Sequence, residues 1–167
     1  MIGSNKLSEI LKILLKKENI YSILLVFLIF TFDRYSKLKI INNFNENILY
    51  INNYINFDLI WNTGIGFGLL SSNSILFYNF ITILIIFVVI TLFYIVFKED
   101  NNEKFILSLV IGGAVGNLYD RISYNAVPDF IDLHYGNFHW FTFNVADIFI
   151  TLGITVFIMI GIFKKDR

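Results

Sequence analysis

The chain has 167 residues, 56% of them hydrophobic, and its mean hydropathy is +0.67. Soluble domains of this length have a lower apolar fraction, so the composition indicates a membrane protein the length of one domain. The formal net charge is zero, and we expect no nucleic-acid partner. Cysteine is absent, which excludes a thiol nucleophile, a disulfide framework and a thiolate metal site.

Four segments are apolar enough to cross a bilayer, which takes about 20 residues in a helix. The first is apolar over residues 19–32 and continues through polar residues to Ile41. The others are residues 74–97, which hold no charge, residues 105–122, which are rich in small side chains, and residues 141–163. We therefore predict four transmembrane helices.

The lysines and arginines predict the orientation of these spans, because cytoplasmic loops carry an excess of both. One side of the membrane would hold Lys6, Lys12, Lys16, Lys17, Lys98, Lys104, Lys164, Lys165 and Arg167. The other side would hold only Arg34, Lys37, Lys39 and Arg121. We predict that both termini are cytoplasmic and that the loops at residues 42–73 and 123–140 face outward.

The first 18 residues form a separate basic segment in this interpretation, ahead of a membrane domain over residues 19–167. Its apolar residues recur at helical spacing with lysines opposite them: Leu7, Ile10, Leu11, Leu14 and Leu15. This pattern fits an amphipathic helix on the cytoplasmic leaflet or a charged extension of the first span. No small-residue cleavage site follows the first apolar run, so we do not expect a cleaved signal peptide.

Polar residues collect near the predicted outer ends of the spans, in five short motifs. In chain order these are "DRYSK", "NTGIGFG", "GGAVGNLYDR", "VPDF" and "FNVAD". Their polar or glycine positions are Asp33, Lys37, Asn62, Gly64, Asn117, Asp120, Arg121, Asp129, Asn144 and Asp147. One side of the membrane therefore holds nearly every candidate for chemistry.

Several of these residues have a purely structural explanation. Asp33 and Lys37 are four apart and can form an ion pair on one helix face. Asp120 and Arg121 can cap or pair at a helix end. Asp147 follows Asn144 by three positions, as in a helix cap. The helix dipole favours such a carboxylate by about 0.3–1 kcal/mol, less than the roughly 2.5–3.5 kcal/mol cost of placing it in the membrane, so a partner is still needed.

Asp129 is a possible partner for Asp147, 18 positions later. A continuous helix would separate them by about 27 Å, whereas a loop that folds back could bring them together. Two neighbouring carboxylates do not both ionise easily, so one keeps a proton while the other acts as a base. Such a pair can activate water for attack on a peptide carbonyl.

Other chemistries fit the sequence less well. Ser36 and Lys37 could suggest a serine/lysine protease, but they are adjacent, so on a helix their side chains point in different directions. His134 and His139, with Asp129 and Asp132, follow no regular metal-ligand spacing, and we expect no metal and no cofactor. A transporter would spread its ionisable groups through the membrane depth, whereas in this sequence they collect on one side of the membrane, which counts against a transporter. A non-enzymatic scaffold, in which the aspartates only cap helices, stays open.

Taken together and in order, the five motifs resemble the lipoprotein signal peptidases, the type II signal peptidases of bacteria. The resemblance covers residues 20–165. It implies an all-α integral membrane protein with four transmembrane helices, a small extracytoplasmic β-cradle and a short loop helix. It also implies an inner-membrane aspartyl endopeptidase that acts as a monomer. Its substrates would be prolipoproteins, cut just before a cysteine that carries a diacylglyceryl group.

The resemblance also implies roles for individual residues. The catalytic dyad would be Asp129 and Asp147. Supporting or substrate-positioning roles would fall to Asp33, Lys37, Asn62, Gly64, Asn117, Asp120, Arg121 and Asn144. Pro128, the only proline in the chain, stands where a valine-like residue is more usual. We expect it to stiffen the segment that carries Asp129.

Overall fold

The computed structural model describes residue 8 and residues 11–43, 48–64, 75–99 and 101–165. These residues contain four long helices: α1 (Lys17–Asn43), α2 (Ile75–Lys98), α3 (Glu103–Tyr124) and α4 (Val145–Lys165). They also contain four strands: β1 (Leu49–Tyr50), β2 (Ile55–Asn62), β3 (Val127–Tyr135) and β4 (Phe138–Phe143). The strands form one antiparallel sheet in the order β1-β2-β3-β4. The predicted combination of membrane helices and a small sheet is confirmed.

Three of the helices, α2, α3 and α4, are long and apolar enough to cross a membrane. Helix α1 has 27 residues, about 40 Å at 1.5 Å per residue, so its length also suffices. Its composition differs because Asp33, Arg34 and Lys37 lie within it and are buried. These three charges, unlike the exposed Lys39, therefore face the protein interior.

Helix α3 packs against each of the other three helices. Glycines on α3 allow this close approach, as small residues do between membrane helices. A Cβ added at Gly112 would lie 2.7 Å from the Ile29 side chain of α1, and one at Gly113 would collide with the Ala146 carbonyl of α4. The small residues noted in the third span thus bring α1 and α4 together around α3.

The segment predicted as the second outer loop is a β-hairpin. Strands β3 and β4 pair from Ile131 with Phe143 to Tyr135 with Phe138, and the turn contains Gly136 with a positive φ of 59°. Phe141 and Phe143, which we predicted to lie in the fourth span, are therefore in β4, and α4 begins only at Val145. The prediction of that boundary was wrong because apolar strand residues raise hydropathy as helix residues do.

The predicted short loop helix does not occur within residues 48–64 or 125–143. Residues 44–47 and 65–73, which belong to the same predicted loops, lie outside the described residues, so that helix stays a prediction. Among the residues of the N-terminal segment, 11–14 form a helical turn that is separate from α1. Leu7 and Ile10 lie outside the described residues, and the division of the chain at residue 18 stays a prediction.

Pro128 lies inside β3, opposite Trp61 of β2. Strand β4 pairs with β3 only from Ile131 onward, so β3 has an open edge on that side at Pro128. Proline cannot donate to a ladder, so within sheets it is confined to edge strands, strand starts and bulges. Pro128 is the second residue of β3 and directly precedes Asp129, and its stiffening of this segment stays a prediction.

Candidate active site

Asp129 lies on β3 and is only 2% exposed. Its Oδ1 accepts a hydrogen bond from Asn144 Nδ2 at 2.6 Å, and its Oδ2 accepts one from Asn62 Nδ2 at 2.8 Å. Burial, together with the nearby charge of Asp147, raises the pKa of Asp129 to about 7, although the two amide donors oppose the rise. This carboxyl is therefore able to hold a proton near neutral pH.

Asp147 lies in the first turn of α4 and forms a reciprocal cap with Asn144. The backbone N–H of Asp147 donates to Asn144 Oδ1, and the backbone N–H of Asn144 donates to Asp147 Oδ2, both at 3.1 Å. Two backbone donors at the helix start are satisfied in this way, as in a capping box. Asp147 Oδ1 also accepts a bond from Asn117 Nδ2 at 2.8 Å. The capping interpretation of Asp147 is correct, but it leaves one carboxylate oxygen directed at α3.

Asn144 joins the two carboxylates, since its side-chain amide contacts Asp129 and its backbone contacts Asp147. The folding back of the β3–β4 hairpin brings Asp129 to the start of α4. This is the second of the two arrangements that the sequence left open, and a continuous helix is excluded. Both carboxylates are buried and point to the same amide residue.

Beneath this pair, a buried ammonium connects α1 with α3. Lys37 Nζ lies 2.7 Å from Asp33 Oδ2, 2.7 Å from Asp120 Oδ2 and 2.8 Å from Asn117 Oδ1. Asn117 in turn donates to Asp147. Asp33 and Lys37 do form the ion pair expected from their spacing, but this pair is part of a network that ends at Asp147.

A second group of contacts holds the end of β2 against α3. Arg121 donates to the carbonyl oxygen of Gly64, and the Gly64 N–H donates to Asn62 Oδ1 at 2.7 Å. The Tyr78 hydroxyl donates to the Arg121 carbonyl at 3.1 Å. Asn62 is thereby fixed while its amide nitrogen contacts Asp129. All ten residues singled out in the sequence belong to these two groups of contacts or to the Asp129–Asp147 pair and the Asn144 that joins it.

Arg34 entered the sequence analysis only as a positive charge of the outer side, but it is buried and ion-paired with Asp120. Its guanidinium lies 4.6 Å from the ring centre of Tyr119 and 5.7 Å from that of Tyr124. Asp120 thus has two cationic partners, Arg34 and Lys37. An arginine inside an apolar span was the available signal, because such a charge must find a partner.

An apolar groove of about 430 Å³ extends from Asp147 along α4 and under the β3–β4 hairpin. Its lining is Leu133, Phe141, Phe143, Asp147, Ile148, Thr151, Leu152 and Thr155. Among the described residues of that lining, Asp147 alone is charged. The groove can accept an extended or lipid-like chain with one end close to the carboxylate pair.

Among the described residues, one group has ligand atoms close enough to hold a metal ion: Asp132, His134 and His139. Asp129, which we had considered with these residues, does not belong to the group. The Asp129–Asp147 pair has amide, backbone and carboxylate neighbours, which suit proton transfer. Asp129, whose pKa of about 7 is close to neutral pH, can act as a general acid, and Asp147, which accepts bonds from Asn117 and Asn144, can act as a general base.

A family model, curated relatives and a solved structure all match most of this chain. The family model described as "Signal peptidase (SPase) II" matches residues 25–163. A lipoprotein signal peptidase of Pelagibacter ubique is 47% identical over 154 residues, which cover 90% of this chain and 93% of that protein. One from Francisella tularensis subsp. mediasiatica is 38% identical, covering 86% and 92%. A bacterial membrane enzyme structure determined by the in meso method at 2.3 Å resolution superposes with a TM-score of 0.74 at 29% identity, covering 88% and 90%. The chain therefore belongs to the signal peptidase II family.

Proposed function

We propose that this protein is an intramembrane aspartyl endopeptidase. Its substrates are prolipoproteins that carry a diacylglyceryl group, and it removes their signal peptide just before the lipidated cysteine. The observation that carries the proposal is the bonding of Asn144 to both Asp129 and Asp147, which holds two buried carboxylates beside an apolar groove. The names of its relatives as lipoprotein signal peptidases support the substrate class.

In the proposed mechanism, the scissile peptide lies between the two aspartates. Asp147, which accepts bonds from Asn117 and from the Asn144 backbone, is the ionised partner and takes a proton from water. Asp129, whose pKa is about 7, donates its proton to the carbonyl oxygen as the water oxygen attacks the carbon. The tetrahedral intermediate then returns that proton to Asp129, and Asp147 gives its proton to the leaving amine. The protons belong to the pair, and each turn restores the starting state.

The remaining residues hold this pair in place. Lys37 and Asn117 orient Asp147 from below, while Asn62 and Asn144 orient Asp129. Asp33 and Asp120 hold Lys37, and Gly64, which Arg121 contacts, holds Asn62. The groove next to Asp147 is the place for an apolar part of the substrate, either the acyl chains or the signal sequence.

The lysine and arginine distribution supports the orientation of the enzyme, and the motif resemblance supports the choice of membrane. We place it in the bacterial cytoplasmic membrane as a multi-pass protein with both termini in the cytoplasm. The carboxylate pair then lies near the outer leaflet, at the end of the helices that meets the β-sheet. The enzyme would work as a monomer, because every group in the proposed mechanism comes from one chain.

Cleavage of a defined precursor tests the proposal. Purified protein in lipid is given one prolipoprotein in two forms, with and without the diacylglyceryl group. We expect cleavage of the lipidated form on the amino side of its cysteine, identified by mass spectrometry, and little cleavage of the other form. Binding of the lipidated precursor without any cleavage would instead favour a scaffold role.

A further inference from the structure

The Asp132 carboxylate on β3 contacts the imidazoles of His134 and His139. His139 Nδ1 lies 2.8 Å from Asp132 Oδ2, and His134 Nδ1 lies 3.5 Å from the same oxygen. The two rings are stacked, with centroids 5.3 Å apart and planes 22° from parallel. His134 and His139 are also cross-strand partners in the β3–β4 hairpin, and they are the only two histidines in the chain. Both rings therefore direct a nitrogen at one carboxylate oxygen.

This cluster contains buried polar atoms that lack a hydrogen bond. His134 is 7% exposed, and within the described residues its Nδ1 makes no hydrogen bond. Asn56 is the cross-strand partner of Asp132 on β2, and its buried Oδ1 makes none either. Directly paired residues of antiparallel strands project to the same face of the sheet. A buried polar atom without a hydrogen bond costs about 1–3 kcal/mol, so these two atoms need an explanation.

We propose that Asp132, His134 and His139 bind a divalent transition-metal cation of the zinc type. A cation among the three side chains would give the His134 Nδ1, which makes no hydrogen bond within the described residues, a ligand role. Imidazole and carboxylate ligands suit Zn²⁺, which is held at about 2.0–2.2 Å by nitrogen and oxygen donors. Water or the Asn56 amide oxygen, which lies on the same face, completes the coordination.

The spacing of the three ligand atoms fits such an ion. Tetrahedral coordination at these bond lengths places ligand atoms roughly 3.3 Å apart. The distances from Asp132 Oδ2 are 2.8 and 3.5 Å, and all three ligand atoms lie within 4.8 Å of one another. Small side-chain rotations suffice to admit the ion. His139 is more than half exposed, which gives the ion a route in from solvent.

The metal site is separate from the proposed catalytic pair. Asp129 and Asp132 are three positions apart on β3, an odd spacing that directs side chains to opposite faces of a strand. A bound cation would fasten β3 to β4 and so steady the hairpin that carries Asp129 to the start of α4. This inference goes beyond peptide hydrolysis, which needs no metal in the mechanism above.

Cobalt absorption spectroscopy tests the site, because Co²⁺ replaces Zn²⁺ in such sites and absorbs visible light. Protein purified without a polyhistidine tag is titrated with Co²⁺ and then with Zn²⁺. We expect one Co²⁺ per chain with a ligand-field spectrum that Zn²⁺ abolishes. His139→Ala, at an exposed side chain, should weaken binding by at least about tenfold, since it removes one of three protein ligands.

His134→Ala serves as a second variant, and Asn137→Ala, at an exposed position of the hairpin turn, serves as the matched control. The control should bind Co²⁺ as the wild type does. Because His139 is exposed, its variant gives a result even where the buried His134→Ala variant does not fold. Lack of saturable binding by the wild type would overturn the proposal. Equal binding by His139→Ala and the wild type would also overturn it, since the ion would then lie elsewhere.

Discussion

The backbone N–H of Ala146 donates a hydrogen bond to Oδ1 of Asp33, 113 residues earlier, at 2.9 Å. The bond satisfies one of the donors that every helix start leaves unpaired, and it places a negative charge where the dipole of α4 favours one. Ala146 directly precedes Asp147. Helix α1 therefore fixes the position of one proposed catalytic carboxylate through the main chain as well as through Lys37.

Replacement of Lys37 by methionine tests this network. The variant leaves Asp33 buried without its cationic partner, while Asp120 retains Arg34. Loss of one partner of a buried ion pair costs about 3–5 kcal/mol, so we expect a fall of that size in the free energy of unfolding, measured in mixed detergent micelles. Lys39→Met, at an exposed position two residues later, is the control and should change little. Equal stability of the two variants would show that the buried ammonium is not important.

Substitutions at Asn144 can separate its two contacts, the cap with Asp147 and the hydrogen bond to Asp129. Asn144→Ala removes both the cap and the contact with Asp129, so we expect a stability loss of about 0.5–2 kcal/mol together with slower cleavage. Asn144→Ser keeps a good capping side chain but cannot reach Asp129 as the amide does. The serine variant should recover most of the stability and little of the cleavage rate. Full recovery of both properties would limit Asn144 to a capping role.

The glycines of α3 give a prediction about packing. A Cβ at Gly116 would lie 2.5 Å from Asp33 Oδ2, whereas one at Gly161 of α4 would have no neighbour within 4 Å. Gly116→Ala should destabilise the protein by about 1–3 kcal/mol through overpacking. Gly161→Ala should be neutral or stabilising, because alanine is the better helix former. Thermal unfolding of the two variants checks this difference, and similar midpoints would contradict it.

The pKa of Asp129 predicts a dependence of stability on pH. Its ordinary value is 3.8, and its value in the folded protein is about 7. Between these values the folded state holds a proton that the unfolded state releases, so the free energy of unfolding falls as the pH rises through this range and levels off above it. The difference amounts to roughly 4 kcal/mol. Asp129→Asn should remove this part of the slope.

Unfolding of the wild type and of Asp129→Asn, measured at about pH 5 and about pH 8, gives this slope as a double difference. The comparison cancels the hydrogen bond that an amide at position 129 must lose to Asn62 or Asn144, because that loss is the same at both pH values. A slope that is unchanged by the substitution would mean that Asp129 titrates near its ordinary pKa. A cleavage rate that falls above about pH 7 would agree with Asp129 as the group that donates a proton.

Much of the architecture could be predicted from hydropathy, but element boundaries could not. Phe141 and Phe143 were assigned to the fourth span because an apolar strand and an apolar helix have the same hydropathy. Lys104 was counted as a loop residue, yet it lies in the first turn of α3, is 1% exposed and donates to Asn19 Oδ1 at 2.7 Å. The side-chain partner of a lysine depends on tertiary packing, which a charge count does not contain.

The candidate site could be predicted only in part. Asn144 and Asp147 are three apart, so their cap was readable from local spacing, and the structure has it. The proximity of Asp129 to Asp147 depends on the β3–β4 hairpin. The motif resemblance indicated that the two residues form a pair, whereas their spacing in the sequence could not. Arg34 and the pairing of His134 with His139 depend on contacts between distant elements or across a turn with an irregular register. The place of Arg34 inside an apolar span signalled that it needs a partner, but the identity of these partners was beyond the reach of the sequence alone.

The most direct test of the central claim is cleavage of a diacylglyceryl-modified precursor by Asp129→Asn and Asp147→Asn, each compared with the wild type in the same lipid. Asparagine keeps the size of each side chain but cannot ionise or act as a proton donor and acceptor in turn. The proposed dyad predicts that each variant still binds the precursor and that its cleavage rate falls by about 10²–10⁴-fold. Cleavage by either variant at a rate close to that of the wild type would contradict the assignment of Asp129 and Asp147 as the catalytic pair.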